Sequence, residues 1–420
     1  MIKHLLKIIW NQRRSNGWIF AELLIVVAIL WVMMDSMLVD RYTYHSPLGF
    51  DIENTYKIQL GTLQPGTPGY VDEQEAATRP GEDALRLIDN LRQSPEVEEV
   101  SMSAVGSPYT NNNMRTLLVP FDADTTVKPS GFSHCAVDPQ YFDVLRLTDK
   151  EGTPLRKVIG QQTGLVPTAD LEEKLFGDGS IVGHTFGFHL ESTDRIPAIA
   201  VSSPVRKTEY EKSEPRLYQV ISTSEMVNVI EGWQVIGMDV LIRMRSGLPP
   251  ENMETFLQGM GERLTVNNVY VSSVEPLSDM RADILKSRED NMKKKTALVG
   301  FMLVNVFFGI IGTFWLRTQA RRGEMGLRVA LGSNRRQLSR LMNLEGIILL
   351  ALTIPFLLVF IMNMLYFDMP DTYRLSYTWW RFAATFGGAY LLMAGMITLG
   401  IWFPIRKAMK MKPAEALHYE

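Results

Sequence analysis

Cysteine is almost absent from this sequence of 420 residues, since Cys135 is the only one. A single cysteine permits no disulfide within the chain, no CxxC redox pair and no cysteine-based zinc site. A free cysteine usually packs as a small apolar side chain, so we expect Cys135 to be buried. Cysteine content therefore assigns neither a chemistry nor a cellular compartment.

Motifs for nucleotide, metal and nucleic-acid chemistry are also missing. No GxxxxGK[ST] loop is present to hold ATP phosphates, and no GxSxG elbow is present for a nucleophilic serine. His134, His184 and His189 lie in the middle of the chain, but none has HExxH spacing. A net charge of −3 without a basic, aromatic-rich stretch argues against nucleic-acid binding. We therefore predict no catalytic residue, no metal site and no nucleic-acid partner.

Charged residues are absent from three long apolar stretches near the C-terminus. A helix needs about 20 predominantly apolar residues to cross a bilayer, and each stretch meets that length. A fourth stretch near the N-terminus carries Glu22 and Asp35 close to its two ends, where we expect both to reach an interface. Its short apolar centre alone would fit a signal peptide, but Trp18 and Trp31 are typical membrane anchors and no small-residue cleavage site follows. The uncharged stretches are residues 296–316, 346–367 and 382–405, and the predicted spans are residues 18–39, 296–316, 344–367 and 382–405. The third includes Pro355, which predicts a kink.

Orientation follows from lysine and arginine, because short cytoplasmic segments carry the positive excess. Residues 1–17 hold four such cations and no acid, residues 317–340 hold seven arginines against Glu324, and the tail 406–420 holds four cations. Residues 40–295 instead hold 26 Lys plus Arg against 38 Asp plus Glu, a net charge of −12. We therefore predict a bacterial inner-membrane protein with both termini in the cytoplasm. Residues 40–295 and the short loop 368–381 would then be periplasmic.

Residues 1–17 have the pattern of an amphipathic helix at the membrane surface. Ile2, Leu5, Leu6 and Ile9 recur at helical spacing and leave Lys3 on another face. Such a helix would place its apolar face in the inner leaflet, with membrane lipid as its partner. A disordered basic N-terminus is the alternative.

The large outer region has a mixed α/β pattern. Residues 55–60 and 239–244 alternate as half-buried strands do, and residues 81–92 and 250–264 have amphipathic helical spacing. Segments rich in glycine and proline separate these elements. The fold class that we predict is an α-helical membrane protein with four transmembrane helices and a large mixed α/β periplasmic domain.

The cytoplasmic loop 317–343 is the most specific segment of the chain. It predicts two helices, with Gly332 ending the first and Ser333 or Asn334 capping the second. Apolar residues and Glu324 lie among its arginines, as expected of a surface that docks into a protein groove. A basic patch that merely binds lipid headgroups is the alternative interpretation.

This loop resembles the MacB/FtsX-like permease subunits of ABC transporters, in which a similar segment reads RxREIGIRxAxGAxRxxI before a helix that contains Glu. The matching positions here are Arg322, Glu324, Met325, Gly326, Leu327, Arg328, Ala330, Leu331, Gly332, Arg335 and Glu345. The C-terminus resembles the family pattern PAxxAAxxxPxEALRYE. Its matching positions are Pro404, Arg406, Lys407, Ala408, Pro413, Glu415, Ala416, Leu417, Tyr419 and Glu420. Residues 137–151 and 171–186 resemble parts of the family's periplasmic domain.

The resemblance implies how the outer region is organised and how the chain works. It implies a porter-like α/β lobe at about 40–105 and 223–290, with a mostly β insert at about 106–222. It also implies that a separate cytoplasmic ATPase, which binds ATP and Mg, drives motion of the periplasmic domain. The chain itself would need no cofactor. Its expected ATPase-coupling residues are Arg321, Arg322, Glu324, Met325, Gly326, Leu327, Arg328, Ala330, Leu331, Gly332, Pro413, Glu415 and Leu417.

The sequence does not determine the partners or the cargo of this chain. The resemblance implies a second permease copy, identical or related, and a periplasmic adaptor or outer-membrane partner. Export or efflux of periplasmic cargo, extraction of a lipoprotein, and FtsX-like activation of a periplasmic partner such as a cell-wall hydrolase all fit. A ligand-sensing membrane receptor is a further alternative. Its short cytoplasmic segments would still require a signalling partner.

Overall fold

The computed structural model describes residues 11, 13–72, 75–121, 129–245, 253–320 and 335–408. The chain divides into two compact units. The membrane unit is Met1–His45 with Arg288–Glu420, and the outer unit is Ser46–Ser287. The predicted surface helix at 1–17 lies largely outside the described residues.

Helices and strands alternate in the outer unit, whereas the described part of the membrane unit is helical. The helices are α1 (Arg13–His45), α2 (Pro80–Arg92), α3 (Tyr141–Val144), α4 (Leu155–Ile159), α5 (Ala169–Phe176), α6 (Thr223–Trp233), α7 (Met253–Met260), α8 (Leu277–Ala320), α9 (Arg335–Leu352), α10 (Ile354–Tyr366) and α11 (Trp379–Ala408). The strands are β1 (Thr55–Thr62), β2 (Val97–Ala104), β3 (Met114–Pro120), β4 (Ser130–Val137), β5 (Gly164–Pro167), β6 (Thr185–Gly187), β7 (Ile196–Pro197), β8 (Arg216–Val220), β9 (Asp239–Met244), β10 (Thr265–Val266) and β11 (Val269–Pro276).

Within the described residues, four helical segments are long and apolar enough to cross a membrane, and they coincide with the four predicted spans. They are Asn16–His45, Leu277–Thr313, Arg340–Tyr366 and Trp379–Trp402. Each helix extends beyond its apolar stretch, because backbone hydrogen bonding continues where the side chains become polar. The predicted fold class, with four apolar helices and a large α/β domain, is confirmed.

The third span is interrupted where proline predicts a kink. Helix α9 ends at Leu352 and α10 begins at Ile354, with Pro355 in its first turn. Proline has no amide hydrogen and fits the start of a helix, so the break falls just before it. Thr353, between the two helices, donates its hydroxyl to the carbonyl of Leu350 at 2.6 Å. The Thr353 amide donates to the same carbonyl at 3.0 Å, so this carbonyl has two donors at the break.

The core of the membrane unit is formed by apolar side chains from all four spans. Val27 of α1, Leu357 of α10 and Met393 of α11 are buried together, and α8 contributes Val306 and Ile310. The apolar window of α8 is the least buried of the four spans in the described chain. Spans one, three and four therefore form most of the bundle core.

The described part of the outer unit is built on one sheet of eleven strands. Its order is β10, β11, β1, β9, β2, β4, β3, β6 and β7, with β8 beside β4 and β5 beside β8. All these strand pairs are antiparallel except β4 with β8. Strands β1, β2, β9, β10 and β11 come from the segments predicted for the porter-like lobe, and β3 to β8 come from the predicted insert. The pairing of β2 with β4 joins both groups in one sheet.

Apolar residues separate into distinct cores along this sheet. Helices α2, α6 and α7 pack their apolar faces on one face of β1, β2 and β9, where Leu87 and Ile230 are fully buried. A second core lies around α3 and includes Tyr141 and Tyr218, and a third lies beneath α5 and includes Leu171. Helix α6 starts with a reciprocal cap, in which the amide of Ser222 donates to the carboxylate of Glu225 at 2.7 Å.

Strand β9 is buried on both faces, so the prediction that it is half-buried was wrong. Its six residues are all buried, because helices cover one face and α3 with its neighbours covers the other. Arg243 lies within this strand at 1% exposure. Its guanidinium donates to the main-chain carbonyls of Val144 at 2.6 Å, Asp51 at 2.6 Å and Glu53 at 2.7 Å. Arg243 thus holds the loop at Asp51 and Glu53, and the end of α3, against the sheet.

Replacing Arg243 should destabilise the outer unit. In R243M the methionine keeps much of the apolar stem but leaves three carbonyls without their donor, at a cost of roughly 2 to 4 kcal/mol. Thermal and urea unfolding of the purified chain would measure the loss. The control is R115M, on an exposed position of β3. Equal stability of the two variants would contradict a structural role for Arg243.

Candidate functional site

The residues predicted to couple to an ATPase lie outside the described residues. Ten of them fall within 321–334 and three within 409–420. The structure describes the helices that flank the loop, with α8 ending at Ala320 and α9 starting at Arg335. Residues 321–334 therefore connect the second span directly to the third. Contact of this loop with a partner remains a prediction.

A cluster of charged residues joins the spans of the membrane unit, and sequence reasoning missed it. We call Asp35, Asp40, Lys295, Asp371, Arg374 and Arg381 the outer charge cluster, because the predicted topology puts them at the periplasmic end. It contains three carboxylates and three cations. They come from α1, from α8, and from α11 with the segment that precedes it.

Asp35 and Arg381 form a buried ion pair between the first and fourth spans. The arginine Nε donates to Asp35 Oδ1 at 2.8 Å, and its Nη2 donates to Oδ2 at 2.6 Å. Arg381 also donates to the carbonyls of Asp371 and Leu375, and its guanidinium carbon lies 5.1 Å from the centre of the Tyr377 ring. Arg381 has no exposed surface in the described structure. The two bonds to Asp35 and the bonds to the two carbonyls together compensate the charge of the buried guanidinium.

Asp40 links two further elements to the first span. Lys295, on α8, donates to Asp40 Oδ2 at 2.8 Å and to the hydroxyl of Ser36 at 2.7 Å. Arg374 donates to the other oxygen, Oδ1, at 2.7 Å, and pairs with Asp371 at 2.5 Å. Asp40 is 3% exposed. One carboxylate thus holds the second span and the loop between the third and fourth spans.

The predicted positions of these residues differ from those in the structure. We expected Asp35 to reach an interface, and we placed Arg374 and Arg381 in a short periplasmic loop. The structure instead starts α11 at Trp379, which puts Arg381 in its first turn opposite Asp35. One signal was present in the sequence. Two acids near the end of the first span are matched by two arginines just before the fourth apolar stretch.

Glu22, the other acid of the first span, lies against the second span. A Cβ added at Gly309 would lie 2.8 Å from Glu22 Oε1. The missing side chain of this glycine therefore leaves room for the carboxylate. We had expected Glu22, like Asp35, to reach an interface.

The three histidines of the outer unit are His134, His184 and His189, and the first two pack against aromatic rings. His134 contacts the side-chain amide of Gln219 at 3.1 Å and stacks near Phe188, and burial lowers its pKa to about 4. His184 instead stacks on Phe176. Across the described residues, no three His, Cys, Asp or Glu side chains converge as metal ligands. His134 is a packed, neutral side chain near neutral pH.

Cys135 is buried, as predicted. Its thiol lies 3.1 Å from the carbonyl of Val105, and burial raises its pKa. A thiol with a raised pKa is a poor nucleophile, because the thiolate is the reactive form.

Comparison with known proteins identifies the C-terminal part of the chain. Residues 296–413 match the family model of the FtsX-like permease C-terminal domain. The match covers the second, third and fourth spans and the predicted coupling loop. It confirms the resemblance to the MacB/FtsX-like permeases that the loop and tail residues indicated. No curated protein matches the chain.

Solved structures that resemble this chain cover about half of it. One is a domain ascribed to a permease protein of Porphyromonas gingivalis, with 13% identity and a TM-score of 0.35, covering 54% of this chain and 92% of that one. Another is the periplasmic region of MacB from Actinobacillus actinomycetemcomitans, with 17% identity and a TM-score of 0.35, covering 56% and 93%. A third is the extracellular domain of the noncanonic ABC-type transporter YknZ from Gram-positive bacteria, with 15% identity and a TM-score of 0.29, covering 52% and 100%.

Breaking the Asp35–Arg381 pair should weaken the span bundle. D35N leaves the buried Arg381 cation without its carboxylate, which costs about 3 to 5 kcal/mol for buried pairs. The double variant D35N/R381Q removes both charges and should recover part of that loss. Unfolding in mixed detergent micelles would measure both variants. The control is D290N, in an exposed pair with Lys293. A D35N chain as stable as D290N would contradict the structural role of the pair.

Proposed function

We propose that this chain, whose residues 296–413 match the FtsX-like permease C-terminal domain, is the membrane subunit of an ABC transporter of the mechanotransmission type. In this proposal a separate cytoplasmic ATPase binds and hydrolyses ATP with Mg, and the chain converts that cycle into motion of its outer unit. The family match to the spans and the loop between them is the observation that carries the proposal. Export or efflux of periplasmic cargo, or extraction of a lipoprotein, is the task that we assign to this motion.

The proposed contact with the ATPase is the loop between the second and third spans. Glu324 would pair with a cation of the partner, and Met325 and Leu327 would enter an apolar groove. The tail at Pro413, Glu415 and Leu417 would make a second contact. The loop joins α8 directly to α9, so a displacement of the loop would act on two spans together.

The outer charge cluster supports transmission through the spans as a set. Asp35 and Asp40 on α1 hold α11, α8 and the loop before α11 by ion pairs of 2.6 to 2.8 Å. Separating these charges in an apolar surrounding is costly, so the ends of the spans would move together. Helix α8 includes residues of both units and has no break between Leu277 and Ala320. It would therefore carry displacement of the second span into the outer unit.

The proposed surroundings follow from charge and span count. Both termini and the loop 317–343 would face the cytoplasm, with the outer unit in the periplasm and the spans in the inner membrane. A second permease copy would complete the membrane part, and a periplasmic adaptor or outer-membrane partner would meet the outer unit.

A double substitution in the loop tests the ATPase contact. E324K/L327A should reduce copurification of the ATPase that accompanies the wild-type chain by at least tenfold, because it reverses the pairing charge and removes an apolar anchor. The matched control is L190A/E191K, which makes the same changes at exposed positions of the outer unit. Thermal unfolding checks that both variants fold. Undiminished ATPase binding and transport in E324K/L327A would overturn the proposed contact.

Labelling with a membrane-impermeant thiol reagent tests the orientation. In a C135S background, a cysteine introduced by S246C should react in intact spheroplasts. A cysteine introduced by S333C should react only after the membrane is opened. The reverse pattern would invert the proposed topology, with the outer unit then in the cytoplasm.

A further inference from the structure

The insert part of the outer unit encloses a small cavity, which we call the tyrosine pocket. Tyr109, Tyr141 and Tyr218 line it, together with Phe50 and Cys135. Strands β4 and β8 form its floor, because alternate residues of these paired strands point to the same face. Its volume is about 50 Å³, by a measure in which one water needs roughly 10 to 15 Å³. The pocket thus holds a group of a few heavy atoms.

Cations outnumber acids in the lining of the pocket. Arg206, Lys207 and Arg216 line it, and Glu214 is the one acid among the described lining residues. Arg206 is committed to the fold, since it donates to the carbonyls of Ser46, Glu209 and Glu211. Lys207 and Arg216 are different, because neither pairs with a carboxylate within 4 Å in the part of the chain that the structure describes.

The hydroxyl groups of the pocket leave one donor for a ligand. Tyr109 donates to Glu209 at 3.0 Å, and Tyr141 donates to the carbonyl of Gly106 at 2.5 Å. Tyr218 interacts electrostatically with Arg216, and burial raises its pKa to about 12, so it keeps its proton. Its hydroxyl donates a hydrogen bond to no acceptor among the described residues.

The wall of the pocket contains strained backbone. Val105 has a φ of +58° and Tyr109 a φ of +56°, both in the left-handed region. This conformation is unfavourable for a β-branched residue such as valine, and such strain concentrates at binding and catalytic sites. The fold therefore holds this loop in a costly conformation beside the unpaired cations.

We propose that the tyrosine pocket binds a small oxyanion group, a carboxylate or a phosphate, through Arg216, Lys207 and the Tyr218 hydroxyl. A partly buried cation without an acid is costly, and an anion relieves that cost. A guanidinium binds oxyanions in two places at once, and the phenol adds a neutral donor. The size of the pocket fits the anionic group and excludes a large cofactor. This site is independent of the proposed ATPase coupling.

Cys135 supplies a reporter within the pocket, because it is the only cysteine of the chain and lines the cavity. The test uses the full chain in nanodiscs of neutral phosphatidylcholine. Modification of Cys135 by iodoacetamide is followed by mass spectrometry, with and without 10 mM phosphate or acetate, against chloride at equal ionic strength. We expect the oxyanion to slow labelling at least fivefold and to raise the thermal unfolding midpoint. A second arm replaces added anion with phosphatidylglycerol in the nanodisc.

Variants distinguish binding of the anion in the pocket from general screening of charges by salt. K207Q/R216Q should lose the effect of the anion on labelling and on unfolding, whereas R216K should retain part of it. The matched control, K157Q, removes an exposed cation of the same unit and should behave as wild type. Protection by phosphate or acetate assigns the site to a free anion, and protection by phosphatidylglycerol alone assigns it to a lipid headgroup. If neither protects Cys135 nor shifts the unfolding midpoint, or if K207Q/R216Q responds as wild type does, the proposal is overturned.

Discussion

The membrane unit depends on charges that are paired where water is scarce. Asp35 and Arg381, 346 positions apart in sequence, compensate each other at the ends of two spans. Either residue alone would be a buried, uncompensated charge in apolar surroundings, so the first and fourth spans must meet in one register. Asp40 extends the constraint to Lys295 and Arg374. Apolar packing alone would allow these helices to rotate or slide, because lipid is as apolar as their side chains.

In the outer unit, buried arginines are compensated mainly by hydrogen bonds to main-chain carbonyls. Arg243 lies in a strand that is covered on both faces, and its donors go mainly to carbonyls of irregular segments that would otherwise be buried without partners. Arg206 does the same for the segment around Ser46. Arg216 differs from both, because it lines a cavity and forms no ion pair with a carboxylate of the described chain. The contrast between arginines that complete the fold and one that lines a pocket is the basis for assigning a ligand to the tyrosine pocket.

Several features of the structure could be predicted from local sequence, and others could not be predicted because they depend on contacts between distant segments. Apolar runs gave the four spans, alternation gave β1, and Pro355 gave the break in the third span, because each depends on neighbouring residues. The ion pair of Asp35 with Arg381 depends on which helices meet, which no local pattern records. Strand β9 was misjudged because its polar residues, Asp239 and Arg243, resemble a solvent-facing edge. They are instead buried with partners from distant segments. The tyrosine pocket likewise combines β4, β8, α3 and the loops around Phe50, Tyr109, Leu147 and Arg206.

The break at Thr353 gives neighbouring spans different stiffness. An uninterrupted helix such as α8 resists bending along its whole length, whereas a helix that lacks backbone bonds at one turn bends there first. The third span has its break at Thr353, which also contacts the Tyr390 hydroxyl of the fourth span at 2.9 Å. The continuous helix and the interrupted one flank the same loop, residues 321–334. In the proposed coupling, displacement of that loop would translate the second span and bend the third, so a single displacement would produce two different motions.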